Sequence, residues 1–349
     1  MLLRLIRTYL RPYPGPIAAI VVLQFLGTLA MLYLPSINAE IIDNGIITGD
    51  TGYIWRRGGL MLAISLGQII CSVGAVYLAA RTAMGFGRDV RAALFHQVGG
   101  FSIKELQHFG APSLITRETN DVQQVQMLVL MGFTMFVSAP IMMVGAAIMA
   151  AREDLGLSWL LAVVVPVLGI SIGFIVSRMV PSFRMMQERI DEVNRLLREQ
   201  ITGVRVVRAF VREPHETQRF AKANADLTEV SIRAGRWLAA MFPVVMLTAN
   251  VASIGVLWFG GHRVESGEMN VGALTAYLSY LMQVIMSVMM GTFMMMMVPR
   301  SAVCADRIME VLDTQSSVEP PQNPVTEVRD HGTLSFEGVS FSYPGADAP

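Results

Sequence analysis

EQITGVRVVRAFVREP, residues 199–214, lies at the middle of a polar segment that runs from Arg178 to Arg236 between two long apolar runs. The segment carries 12 of the 27 Lys and Arg residues of the chain. On both sides of its middle, apolar residues recur at helical spacing. These residues are Met186, Ile190, Val193 and Leu197 before the middle, and Phe220, Ala223, Leu227 and Val230 after it.

A helix rises about 1.5 Å per residue, so a helix from Arg178 to Val211 would be roughly 50 Å long. The pattern breaks at Arg212-Glu213-Pro214, where proline suits the first turn of a new helix. We therefore predict two long helices that project into solvent, with a short helix across their tips. Two interpretations remain open for this hairpin: a lever that docks on a partner domain, and a solvated amphipathic hairpin with no further task.

The composition of the chain is that of a membrane protein. Of the 349 residues, 53% are hydrophobic and only 15% are charged, whereas soluble proteins have about 25% charged residues. The mean hydropathy is +0.50. Six runs contain no Asp, Glu, Lys, Arg or His, and each is long enough to cross a hydrocarbon core of roughly 30 Å. They cover residues 16–35, 59–80, 127–151, 155–177, 237–261 and 271–298. We predict an all-α membrane protein with six spans.

The distribution of basic residues predicts the orientation. An even number of spans places both termini on one side, and that side then holds 23 of the 27 Lys and Arg residues. Because basic residues concentrate on the cytoplasmic side, we predict a multi-pass protein of the cell membrane (the cytoplasmic membrane in a bacterium) with both termini inside. Residues 2–11 predict an amphipathic helix that can lie in the membrane interface. Cys71 and Cys304 give no disulfide or metal spacing, and no metal site is predicted.

A second polar connection, residues 81–126, resembles the first. Phe86, Val90 and Leu94 indicate that the second span continues as a helix beyond the membrane. The sequence FGAPS at 109–113 then predicts a break and a short helix that begins at proline. Two long hairpins with a short helix at each tip are therefore a repeated device.

The composition changes after the sixth span. Residues 302–312 predict a last helical extension, which completes a transmembrane domain over 1–312, and residues 313–331 predict a linker. From Leu334 to Tyr343 apolar residues alternate with polar ones, which predicts a β-hairpin with a turn at Glu337-Gly338. An isolated hairpin is marginal in water. We therefore expect that 332–349 begin a soluble domain whose remainder is absent from this chain.

Five segments together resemble ABC exporters of the type IV class. GAPSLITRETNDV (110–122), EQITGVRVVRAFVRE (199–213), GHRV (261–264) with VGALTAYL (271–278), RIMEVLD (307–313) and LSFEGVSFSYP (334–344) occur in that family's order. The resemblance covers nearly the whole chain. It implies six transmembrane helices per half, two halves per transporter, and coupling helices at about Leu106–Thr116 and Arg212–Gln218. The second coupling helix would reach the nucleotide-binding domain of the partner half.

The resemblance also implies the site residues. The coupling contacts would come from Pro112, Ser113, Leu114, Arg212, Glu213, Pro214 and His215. Tyr343 matches the aromatic residue that stacks on adenine, although an ordinary strand aromatic would fit the alternation equally. ATP and Mg²⁺ would act in the full-length protein. The chain has no phosphate-binding loop, no Walker B acid and no signature motif, so we expect no catalytic residue and no ATP hydrolysis by this chain alone.

Polar and methionine side chains within the spans are the candidates for a substrate path. Gln24, Gln68, Asn250 and Gln283 either line a cavity or form interhelical hydrogen bonds. In the sixth span, Met282, Met286, Met289 and Met290 share one helical face, and methionine suits promiscuous apolar surfaces. That face either lines an apolar path or packs as ordinary core. The spans hold no ionisable residue, which argues against ion-coupled transport.

The predicted function is one half of a dimeric ATP-driven exporter of hydrophobic or amphipathic compounds such as drugs or lipids. The expected partners are a second half-transporter (identical or different), nucleotide-binding domains, membrane lipid and the substrate, and no nucleic acid. Two alternatives remain. One is a transporter of a lipid-like metabolite or metal chelate, including import. The other is a non-transporting membrane scaffold or receptor.

Overall fold

The computed structural model describes residues 1–318, 332 and 335–340. Within those residues the protein forms ten α-helices and no strand. The helices are α1 (Leu2–Leu10), α2 (Pro14–Ile41), α3 (Thr51–Gly99), α4 (Ile103–Phe109), α5 (Ala111–Thr116), α6 (Val122–Met131), α7 (Ser138–Glu153), α8 (Ser158–Ala209), α9 (Glu213–Glu265) and α10 (Val271–Asp313). Single π-helical turns occur at Ile42–Ile46, Arg117–Asp121 and Gly132–Phe136, and a 3₁₀ turn at Leu155–Leu157.

Each of the six predicted apolar runs falls within one continuous helical segment. Six segments of the described chain are long and apolar enough to cross a membrane: Pro14–Ile46, Thr51–Gly99, Ala111–Glu153, Leu155–Ala209, Glu213–Glu265 and Val271–Asp313. For the described residues this confirms the all-α class and the six helices able to cross a membrane. Helices are the expected solution, because a helix satisfies its backbone hydrogen bonds within one segment where lipid offers none.

One compact unit comprises Met1–Leu23, Val73–Phe136 and Phe293–Pro349. Its core joins α1, the second half of α3, α4–α6 and the end of α10, with Leu5, Phe86, Val125 and Ile308 fully buried. The amphipathic helix predicted at the N-terminus is present as α1. Its Arg4 reaches Asp313 at the end of α10 at 2.8 Å.

The other compact unit comprises Gln24–Ser72 and Val137–Thr292. Its core runs along α8, α9 and α10 and includes two fully buried tyrosines, Tyr277 and Tyr280. Their hydroxyls donate to the backbone carbonyls of Leu157 (2.7 Å) and Leu32 (2.9 Å). A tyrosine can occupy such a core because its one polar atom is satisfied.

The prediction of a separate short helix across the tip of the long hairpin is wrong. The structure ends α8 at Ala209 and begins α9 at Glu213, and α9 then continues without a break to Glu265. Pro214 lies in the first turn of α9, where a missing N–H costs nothing. No proline follows until Pro243, and α9 continues through Pro243 as well. A break is present close to the predicted Arg212-Glu213-Pro214, at residues 210–212.

The first connection also differs in detail from the prediction. The short helix predicted at about 106–116 is divided by Gly110, whose φ is +73°. Only glycine adopts this left-handed conformation freely. The short helix predicted to begin at proline is present as α5, with Pro112 in its first turn. A second short helix, α4, precedes Gly110, and α5 leads through the π turn towards α6. As predicted, α3 continues well beyond the second apolar run, to Gly99.

At the C-terminal end, α10 finishes at Asp313, where the linker was predicted to start. Residues 319–331, most of that linker, lie outside the described residues. Of the predicted hairpin, residues 335–340 are described without a strand and with Gly338 at φ +64°, whereas Leu334 and residues 341–344 lie outside. The β-strands remain a prediction.

Candidate functional site

The second tip, residues 210–215, is a hydrogen-bonded cap on α8. Arg212 N donates to Val207 O (2.9 Å) and Val211 N to Arg208 O (3.2 Å). This pair of bonds is the Schellman motif, in which the residue after the cap is left-handed and is usually glycine. Here that residue is Val211, with φ +52°. A β-branched residue in this region is strained, and strain of this kind concentrates at functional sites.

The second tip presents apolar and charged side chains to solvent. Phe210 and Val211 are 73% and 74% exposed. The predicted coupling residues Arg212, Glu213, Pro214 and His215 are all exposed as well. Two large apolar side chains that are exposed to solvent at the end of a long hairpin are suited to contact with another surface. Their role in coupling remains a prediction.

Charged side chains join α8 to α9 below the second tip. Arg195 pairs with Glu192 (2.7 Å) and Glu199 (2.6 Å) along α8. Arg219 of α9 reaches Glu199 at 3.0 Å, so one carboxylate joins both helices. Exposed pairs contribute little individually. Glu199 thus links the two helices at this level of the hairpin.

In the first tip, residues 100–121, the predicted coupling residues differ in their exposure to solvent. Pro112 is exposed and Ser113 is half-buried, whereas Leu114 is 7% exposed and packs in the core of its unit. Gly110 caps α5, because its carbonyl accepts from Ser113 N and Leu114 N, both at 3.1 Å. Of the three predicted residues, Pro112 is therefore the one presented for contact.

A capping box fixes the start of α4 in the first tip. Glu105 accepts from the backbone N–H (2.9 Å) and the hydroxyl (2.6 Å) of Ser102. The Ser102 hydroxyl also lies 2.9 Å from that of Ser317, beyond the end of α10. These hydrogen bonds, first that from the Ser102 side chain, lower the pKa of Glu105 to about 2. The ionised carboxylate is thus part of the fold of this tip.

Sequence reasoning missed a polar cluster between the first tip and α10. Arg117 is buried, lies over the Phe109 ring at 4.9 Å, and donates to Arg307 O and to Glu310, both at 2.8 Å. Asp121, also buried, pairs with Arg307 at 3.1 Å. In the sequence, Arg117 and Asp121 stood out only by their spacing in the segment 110–122, which resembles ABC exporters. Their partners are about 190 residues away, beyond any local pattern.

The four polar residues predicted for a substrate path have different surroundings. Gln24 is half-buried and accepts from the Ser138 hydroxyl at 3.1 Å, which is the interhelical hydrogen bond that was the alternative to a cavity lining. Gln68 is half-buried and Asn250 is exposed. Gln283 is half-buried, and its side-chain oxygen is enclosed without a hydrogen-bond partner in the described part of the chain.

The methionine face of α10 runs from the surface into the core. Met282 and Met286 are 40% and 51% exposed. Met289 and Met290 are half-buried, and Met289 packs against the core of its unit. Met289 thus packs as core, whereas Met282 and Met286 form an open apolar surface. Its role in transport stays a prediction, and Tyr343 lies outside the described residues.

Comparison with known proteins identifies the family of this chain. The sequence model of the ABC transporter transmembrane region matches residues 17–288. The chain is 49% identical to an uncharacterized ABC transporter ATP-binding protein of Mycobacterium tuberculosis (strain CDC 1551), over 100% of this chain and 60% of that protein.

Two further relatives have names that state a substrate class. The chain is 27% identical to a multidrug efflux ATP-binding/permease protein of Mycobacterium tuberculosis (strain H37Rv), over 99% of this chain and 29% of the relative. It is 23% identical to an ATP-dependent lipid A-core flippase of Dechloromonas aromatica, over 98% and 58%. The chain therefore spans less than two thirds of the length of these relatives.

Proposed function

Because this chain belongs to the ABC transporter transmembrane region family, we propose that it is the membrane half of an ATP-driven exporter of hydrophobic or amphipathic compounds. The observation that carries the proposal is the second tip: exposed, strained and held at the end of α8 and α9, which are 52 and 53 residues long. About half of each helix extends beyond its apolar run. A rigid hairpin of this length can transmit the movement of a soluble domain to the bilayer.

In this mechanism, ATP is bound and hydrolysed outside the residues of this chain. The sequence has no phosphate-binding loop, so these residues do not fit ATP and Mg²⁺, and we assign both to a nucleotide-binding domain beyond them. The chain's own task is mechanical. Phe210, Val211 and Arg212 engage the moving domain of a partner half, and the charge-linked helices α8 and α9 carry the displacement. The spans then alternate between two states whose populations nucleotide binding biases.

The proposed cargo follows from the chemistry of the spans. No Asp, Glu, Lys, Arg or His lies in the six apolar runs, so recognition relies on apolar contact and a few neutral amides. Met282 and Met286 offer a flexible, polarisable surface on α10, which suits several substrates better than one. The named activities of two relatives, multidrug efflux and lipid A-core flipping, agree with this class. The proposal also places the chain in the cell membrane with both termini in the cytoplasm, as the distribution of basic residues predicts.

The test uses the full-length protein in liposomes with rhodamine 6G, a hydrophobic cation, as probe. We expect ATP-dependent movement of the dye, and a changed concentration dependence when Met286 and Met290 are both replaced by Gln. The matched control is Met295→Gln, which lies on the opposite side of α10, is 77% exposed and should leave the dependence unchanged. ATP-independent dye movement would refute export. An unchanged concentration dependence in the double variant would refute the methionine path.

A further inference from the structure

The polar cluster at the first tip has a geometry that packing alone does not require. Arg117 and Asp121 begin and end the π-helical turn Arg117–Asp121, and both face the last turns of α10. Arg117 binds the carbonyl of Arg307 and the carboxylate of Glu310, while Asp121 binds the guanidinium of Arg307. The two ion pairs have opposite polarity, so each element contributes one cation and one anion.

We propose that these four residues, Arg117, Asp121, Arg307 and Glu310, form a clamp that makes the first tip and the end of α10 move as one body. The proposal rests on the proposed function and deepens it. Force applied to either element would reach both the third and the sixth spans, without passing through the long hairpin of α8 and α9. The four are positioning residues, since they would act through the helices that they join.

Burial makes the clamp stiff. The side chains of Asp121 and Arg117 are 2% and 10% exposed. Separating them from α10 would leave both charges enclosed without a counterion, which is strongly unfavourable. Arg117 is also held from its other side by the Phe109 ring, which itself stacks on Phe101 at 5.8 Å. Sliding of the π turn along α10 would break both ion pairs and the hydrogen bond to the Arg307 carbonyl together.

Further hydrogen bonds extend the same attachment along α10. Ser301 Oγ donates to Gln124 O at 3.3 Å, before the clamp. Beyond it, Gln97 Nε2 donates to Thr314 O at 2.6 Å, and the hydroxyls of Ser102 and Ser317 meet at 2.9 Å. The first tip, through Ser102, is thus attached to the residues after α10, and the neighbouring helices α3 and α6 make further bonds, through Gln97 and Gln124, to the same region. In the proposed transporter this is the segment that leads to the nucleotide-binding domain.

The main test measures transport per ATP hydrolysed by the full-length protein in liposomes. Arg307→Gln and Glu310→Gln remove one charge from each pair, and we expect transport per ATP to fall about tenfold, within the usual range of coupling energies, while ATP hydrolysis persists. Arg307→Lys keeps the cation and should restore coupling. The control is Arg300→Gln, an exposed arginine of α10 without an ion pair among the described residues. Equal transport per ATP in Arg307→Gln and Arg300→Gln would overturn the clamp.

A second measurement separates failure of the clamp from failure of the transport proposal. Spin labels at Ile115 and Val303, both about 60% exposed on α5 and α10, report the distance between the two elements after Cys71→Ser and Cys304→Ala. The clamp predicts a narrow distance distribution that ATP does not broaden, and a broader one in Arg307→Gln. Equal widths would overturn the clamp even in a protein that moves no dye. No dye movement with the expected widths would refute only the transport proposal.

Discussion

Replacement of Gly272 by alanine should destabilise the start of α10, and the structure allows the size of the effect to be worked out. Gly272 N donates to Asp43 Oδ1 at 2.7 Å, which satisfies a free N–H in the first turn of α10. A Cβ built on Gly272 would lie 2.5 Å from Asp43 Oδ2 and closer still to the carbonyl oxygen of Ala39. Real Cβ atoms essentially never approach another atom within 3.0 Å.

The added methyl group must therefore push α10 away from Ala39 and Asp43. Loss of the hydrogen bond to the carboxylate costs about 1.5–3 kcal/mol, and the overpacking about 1–3 kcal/mol. The greater helix propensity of alanine returns about 1 kcal/mol. We expect a net loss of about 1.5–5 kcal/mol in the free energy of unfolding. This contact also gives a physical reason for glycine in the segment VGALTAYL.

The assay is unfolding by SDS titration in mixed micelles, with Gly235→Ala as the matched control. Gly235 also lies within a helix, and a Cβ there would meet no atom within 4 Å, so this variant should gain up to about 1 kcal/mol. The midpoint for Gly272→Ala should fall well below that of the native protein. A midpoint equal to that of Gly235→Ala would refute the close approach of α10 to Ala39.

Three further predictions concern single residues. Val211→Gly should stabilise the protein by about 0.5–1 kcal/mol, because relief of left-handed strain (about 1–2 kcal/mol) exceeds the entropic cost of glycine; SDS titration would contradict this if the midpoint fell. The pKa of Glu105 is lowered to about 2, so its stabilising contribution is complete above pH 4.5 and is lost as the pH falls towards 2. In Glu105→Gln, which keeps the cap, hydrogen exchange of α4 should lose this pH dependence, and an unchanged dependence would contradict the role of the carboxylate. Asp154 accepts from Leu157 N at 2.9 Å and pairs with Arg263 at 3.0 Å; Asp154→Ala should cost about 2 kcal/mol by SDS titration, and a loss below about 0.5 kcal/mol would contradict both bonds.

The sequence predicted most of the helical architecture because membrane spans leave a local signal. Six uncharged runs of at least 20 residues admit few interpretations, and the helical spacing on both sides of 199–214 indicated the long hairpin. The break at 210–212 was also visible from Pro214. Periodicity cannot show whether a helix that restarts at proline will end again. The short helix at the second tip was therefore wrongly predicted, while α9 runs on to Glu265.

The candidate site was less predictable, because its decisive features are not local. Nothing in the sequence places Val211 in the left-handed region, where glycine would be expected. The partners of Arg117 and Asp121 in α10 are distant in the chain, and the spacing of Arg117 and Asp121 cannot reveal them. Met286 is exposed whereas Met289 is half-buried. This difference in exposure depends on how α10 packs. Four of the seven predicted coupling residues are exposed together at the second tip, and Leu114 is buried.

The most direct test of the lever is the number of dye molecules moved per ATP by a full-length variant that combines Arg212→Glu and Glu213→Arg. This exchange keeps the net charge but reverses the charge pattern at the second tip. The matched control exchanges Glu229 and Arg233, an exposed pair of α9 at 2.9 Å. We expect continued ATP hydrolysis, with transport per ATP reduced about tenfold in the tip variant and unchanged in the control. Native transport per ATP in the tip variant would contradict the role of the hairpin as a lever.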